Sequence, residues 1–137
     1  MKLTFATAAL VFAASAAFAS QNGMAPMVDA MSQPVASGTV MAGKVIAPSN
    51  GWLVVHRSNA EMKPSAVIGY APLMEGVNTD VTVTLTEPVA SGEELILMLH
   101  SEEGGMMAGT YEFTAGGKED VPVMVDGKPV MVSITAE

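Results

Sequence analysis

The feature that most constrains this chain is a series of short apolar, β-branched runs, cut at close intervals by glycine, proline, asparagine and serine. Thr39–Ala47 is the first run, and residues 52–57 follow the turn Pro48-Ser49-Asn50-Gly51. Residues 66–74 come next. In residues 80–86, Val81, Val83 and Leu85 alternate with Thr82, Thr84 and Thr86. That period of two predicts a half-buried strand with one wet face. Residues 94–100 are almost continuously apolar, as expected of a central strand covered on both faces. Runs at 110–114, 121–125 and 130–135 complete the set, and Asp126-Gly127 is a two-residue hairpin signal between the last two. About eight short strands with regular turns predict an all-β fold, an antiparallel β-sandwich of immunoglobulin-like general shape. Pro34-Val35-Ala36-Ser37-Gly38 recurs as Pro88-Val89-Ala90-Ser91-Gly92. The flanking residues do not keep register, so these read as two similar turns and not as a tandem repeat.

The N-terminus follows other rules. Met1-Lys2 carries one positive charge, residues 3–17 are uncharged and alanine-rich, and Ala17-Phe18-Ala19 has the small-x-small form of a cleavage site. This is the layout of a secretory signal peptide. Its apolar run is shorter than the roughly 20 residues that span a bilayer, and no later stretch is long enough. The expected organisation is a signal peptide over 1–19, a Met-rich linker over 20–34 and a sandwich over 35–137. Within the linker, Met24, Met27 and Met31 have the spacing of one helical face, while Pro26 and Pro34 would hold any helix to a few turns. Removing 19 of the 137 residues leaves 118, and losing Lys2 takes the formal net charge from −8 to −9. The mature chain is expected in the periplasm or outside the cell, with no membrane span.

Charge and composition exclude several function classes. With 6 basic against 14 acidic residues, the chain lacks the clustered cations that nucleic acid or an anionic membrane requires. Cysteine is absent, so there is no disulfide, thiolate ligand or cysteine nucleophile. The chain contains no Gly-x-Ser-x-Gly, no His-Glu-x-x-His and no phosphate loop opening a helix, and the Ser-Gly pairs at 37 and 91 are ordinary turn chemistry. The expectation is a non-catalytic module whose partner is a protein or a metal.

Methionine is the compositional anomaly, with 12 in the chain. Methionine fills irregular core gaps, but its thioether also selects soft cations such as Cu(I). Met98 and His100 stand at i and i+2 on a predicted strand and so share a face. Met106 and Met107 lie in the glycine-rich loop that follows. His56 closes another apolar strand. If the two strand ends meet, His56, His100, Met98 and one of Met106 or Met107 form a donor set suited to Cu(I). The structural alternative is that each histidine is a strand-end residue bonded to a loop. A calcium-supported adhesion role would need six to eight oxygen ligands, and no Asp-x-Asp-x-Asn-Gly series is present. Among the aromatics, Trp52 is expected to anchor the core between the sheets. Tyr111 and Phe113 are expected to share one face, with the tyrosine hydroxyl bonded to backbone.

The order of these pieces is distinctive. Gly51-Trp52-Leu53-Val54-Val55-His56 precedes Val67-Ile68-Gly69-Tyr70, then Gly76 and Val81-Thr82-Val83-Thr84-Leu85. Leu99-His100, Gly109-Thr110-Tyr111-Glu112-Phe113 and Glu119-Asp120-Val121-Pro122-Val123 follow. The series resembles an uncharacterised domain of archaeal surface glycoproteins and secreted bacterial proteins, over roughly residues 35–136. The resemblance implies a compact secreted β domain and no reaction. Relatives often carry an Asp/Asn/Gly loop after the second histidine. Here Ser101-Glu102-Glu103-Gly104-Gly105-Met106-Met107-Ala108 stands instead and brings sulfur where oxygen would be expected. Cleavage after Ala19 is testable by N-terminal sequencing of the exported protein, which should begin at Ser20; an uncut Met1 would contradict it.

Overall fold

The computed structural model describes residues 24–103, 110–113 and 117–137. The expected signal peptide at 1–19 and the pair Met106 and Met107 lie outside the described residues. Among those residues the chain is all-β, with nine short strands and no helix. Among the described residues no helix is long and apolar enough to cross a membrane. The strands are β1 (Met27–Asp29), β2 (Thr39–Ala47), β3 (Gly51–Ser58), β4 (Pro64–Leu73), β5 (Gly76–Thr84), β6 (Glu94–Ser101), β7 (Met124–Val125), β8 (Lys128–Pro129) and β9 (Met131–Thr135). One sheet has the order β1-β2-β5, the second β4-β3-β6-β9, and β7-β8 is a separate hairpin. The pairings between these strands are antiparallel.

A single apolar core joins the two larger sheets. Val40, Val45 and Val83 come from the first sheet, and Leu53, Leu97 and Leu99 from the second, each fully buried. The alternation along β3 and β6 sets this inner face, with Leu53 and Val55 on one strand and Leu95, Leu97 and Leu99 on the other. The intervening residues belong to the opposite, outer face. Trp52 is among them. It is buried, but against the outside of the four-stranded sheet and not between the sheets as its sequence context predicts.

The turns follow residue chemistry. Gly38 and Gly92, at matching places in the two Pro-Val-Ala-Ser-Gly segments, both adopt positive φ, but the turn bonds differ by one residue: Gly38 N–H donates to Val35 in the first segment, and Glu93 N–H to Ala90 in the second. Asp126 and Gly127 have φ of 51° and 75°, the pair of positive values that a two-residue hairpin turn requires. The stretch expected to be a linker or frayed helix contributes β1, which pairs with β2 through Val28 and Val45. Gln33 continues the attachment, its side chain bonding the backbone of Met41 in both directions. The helical spacing of Met24, Met27 and Met31 thus yields to strand pairing. Residues 110–113, expected in a strand, are irregular and cross the outer face of the second sheet.

Gly51 allows β3 to start close to the end of β6. It pairs with Ser101, and a Cβ at this position would collide with the carbonyl oxygen of His100. That oxygen belongs to backbone inside a ladder and has little freedom to move. Gly51→Ala should therefore destabilise the fold by about 1–3 kcal/mol, the usual cost of overpacking, read as a lower urea midpoint with an unchanged slope.

Candidate functional site

The outer face of the β3–β6 pair holds the chain's two histidines. Register places Trp52 opposite His100, Val54 opposite Met98 and His56 opposite Ile96. The histidines thus flank the Val54–Met98 row on a diagonal. Their rings lean over that row until the centroids are 5.7 Å apart, stacked with an interplanar angle of 27°. His56 is 4% exposed, His100 0% and Met98 3%. The structure therefore unites His56, Met98 and His100 on one buried patch.

Each ring is held by its Nδ1. His56 Nδ1 lies 3.0 Å from the Ser65 carbonyl, across a β-bulge where Val55 pairs with Gly69 but His56 pairs with Val67. Bulges re-aim side chains in this way. His100 Nδ1 lies 2.6 Å from the Asp120 carbonyl. A carbonyl oxygen only accepts, so each Nδ1 carries the proton and donates it. The lone pair of each neutral ring then sits on Nε2. Both Nε2 atoms are buried and have no hydrogen-bond partner among the described residues.

Asp120 is itself fully buried, with φ of 43°. Its carboxylate accepts the backbone N–H of Glu103 at 3.2 Å and of Glu112 at 2.7 Å. One residue thus orients His100 through its main chain and ties both ends of the neighbouring loop through its side chain. This positioning role has no motif in the sequence.

Aromatic rings complete the patch. Phe113 meets His100 edge-on at 4.8 Å, and Tyr111 lies 6.0 Å from His100, 5.7 Å from Trp52 and 4.5 Å from Tyr70. Trp52, Tyr70 and Tyr111 also wall an open groove of about 520 Å³, with Met74 and Glu102 among its lining residues. The Trp52 indole Nε1 and the Tyr111 hydroxyl are buried without a partner among the described residues. The expectation that the tyrosine hydroxyl finds a backbone partner is therefore not met there. Burial raises the Tyr111 pKa, the charge of Asp120 and then Tyr70 adding to the effect.

The methionines divide sharply. Of nine in the described residues, seven are exposed and Met98 alone is fully buried. Core filling explains Met98 at most. No group of three or more His, Cys, Asp or Glu able to hold a metal occurs among the described residues. That leaves the oxygen-rich calcium arrangement without support there, while a mixed nitrogen–thioether set is a different chemistry.

The chain belongs to a family described as a domain of unknown function, DUF7282, whose pattern matches residues 26–137. The match begins just ahead of β1 and so includes the strand expected to be linker. No curated protein and no solved structure matches the chain.

Burial holds both imidazoles below their ordinary pKa. His100 is lowered to about 4, mainly by burial and further by His56, against the opposing carbonyl bond and charge of Asp120. His56 is lowered by burial against the opposing bond to Ser65. An unfolded histidine titrates near about 6.5, so the unfolded chain takes up protons that the native state refuses. Stability should be full above that pH and fall as the pH drops toward about 4. Urea unfolding between about pH 7 and pH 5 should show this slope, and His100→Gln should reduce it. An identical slope in the variant would contradict the assignment.

Proposed function

We propose that this protein is a non-catalytic, exported β domain that binds a soft monovalent metal, Cu(I), through His56, His100 and Met98. The observation that carries the reading is the pair of stacked imidazoles whose Nδ1 protons are committed to carbonyls and whose Nε2 lone pairs are buried with no partner among the described residues. Backbone bonds of this kind select the ligating tautomer of a metal-bound histidine. An unsatisfied buried acceptor costs about 1–3 kcal/mol, and two within one ring stack are offset if a cation takes both.

The ring separation lies within the limit a shared ion sets. With metal–nitrogen bonds of about 2.0–2.1 Å, two imidazoles on one ion have centroids within roughly 6.5 Å of each other. The observed separation is 5.7 Å. Register puts Met98 in the row between the two histidines. Two neutral nitrogens and a neutral thioether leave a monovalent ion with its own single charge, which a buried apolar patch tolerates better than a divalent one. Softness points the same way, since thioethers favour Cu(I) over zinc or calcium. Export is supported by the signal-peptide layout of residues 1–19.

The mature protein should bind one equivalent of Cu(I) in anaerobic competition with a coloured Cu(I) chelator, and binding should raise its melting temperature by mass action on the folded state. The double variant Met98→Leu, His100→Gln should lose both effects while keeping its β-sheet circular dichroism. Equal retention of Cu(I) by that folded variant, or none by the wild type, would falsify the reading.

A further inference from the structure

The two Nε2 atoms are buried, so a metal that uses them needs a way in. One of the exposed methionines is distinguished by its register. Met131 opens β9, the edge strand next to β6, and its Cα partner is Met98. Directly opposed residues project to the same face, with Cβ atoms about 4.5–5.5 Å apart. The neighbouring pairs of this ladder, Leu97 with Val132 and Leu95 with Ile134, contribute to the core between the sheets. Met98 and Met131 therefore both belong to the outer face that carries the histidines. Met98 is 3% exposed and Met131 41%. A solvent-facing thioether thus stands beside a buried one in the row between the two rings.

We propose that Met131 is the docking thioether through which Cu(I) reaches and leaves the buried His56, His100 and Met98 ligands. The inference rests on the metal-binding reading above and adds the route. A thioether is neutral at any working pH and binds Cu(I) without releasing a proton. Met131 can therefore hold the ion at the surface while Met98 adds to it, after which the histidine nitrogens replace Met131. Only ligands exchange in these steps; copper stays Cu(I). A stepping stone of this kind lowers the barrier in both directions and leaves the equilibrium affinity nearly unchanged. The competing route is the groove walled by Trp52, Tyr70 and Tyr111, where Met74 offers a thioether.

The test uses the mature protein loaded with one equivalent of Cu(I) under anaerobic conditions and mixed with excess bathocuproine disulfonate. Met131→Leu preserves size and lies at an exposed position, so the fold is kept. Transfer to the chelator should slow about tenfold or more, while the equilibrium distribution shifts by less than about threefold, the pattern of a kinetic and not a thermodynamic contribution. Met41→Leu, at an exposed methionine on the other sheet, should change neither. An unchanged rate in Met131→Leu overturns the route while leaving the site intact, as does slowing in Met74→Leu alone. A large loss of affinity in Met131→Leu also overturns it, because Met131 would then be a permanent ligand. A wild type that holds no Cu(I) removes the site, and the route with it.

Discussion

The structure depends on the burial of β3 and β6 on both faces. In a small antiparallel sandwich, one face of each sheet commonly meets water. Here the inner faces of β3 and β6 build the core through Leu53, Val55, Leu95, Leu97 and Leu99, while Val54, Ile96 and Met98 are buried on the outer side. Tyr111 and Phe113 pack against that outer side. A dry outer face raises the cost of every polar atom placed on it. Yet four buried nitrogen or oxygen atoms without a partner among the described residues, those of Trp52, His56, His100 and Tyr111, belong to this one patch. At about 1–3 kcal/mol each, their concentration there is hard to reconcile with a purely architectural role. It is the reason for reading the patch as a site.

That burial also decides what could be read from the sequence. The apolar run of β6 announces a two-sided strand, because every position from Leu95 to Leu99 is apolar whichever way it points. The alternation in β5 and the Asp126-Gly127 turn are equally legible, since each depends on local geometry. The face chosen by Trp52 is not. In β3 both faces are apolar, so the period-two signal that would assign the tryptophan inward or outward is missing. The meeting of His56 and His100 is likewise only conditional in the sequence. It needs the β3–β6 register and the lean of two rings across the Val54–Met98 row.

Methionine spacing misleads in another way. Met24, Met27 and Met31 have a helical period, but Pro26 lies within the stretch and β2 offers an edge whose backbone groups β1 can satisfy. Pairing with an existing sheet outweighs a short amphipathic pattern, because a helix of a few turns has little stability of its own. The methionines as a group also resist a single explanation. Of the nine in the described residues seven are exposed, and the one fully buried lies beside the histidines. Composition identifies the anomaly; only position separates a ligand candidate from surface side chains.

The proposed site has no local precursor in the chain. His56 is oriented by the Ser65 carbonyl of β4, and His100 by the carbonyl of Asp120, whose own place is set by backbone donors at Glu103 and Glu112. These anchors converge only after β4, β3 and β6 have paired and the segment after β6 has folded back over them. An unfolded chain would offer two freely titrating histidines with neither tautomer selected. Affinity of the proposed site for a metal would therefore be linked to folding free energy, as it is wherever ligands converge only in the native state. The same dependence accounts for the tight approach at Gly51: β3 must begin against the His100 carbonyl, so the residue that starts the strand also sets where its partner histidine stands.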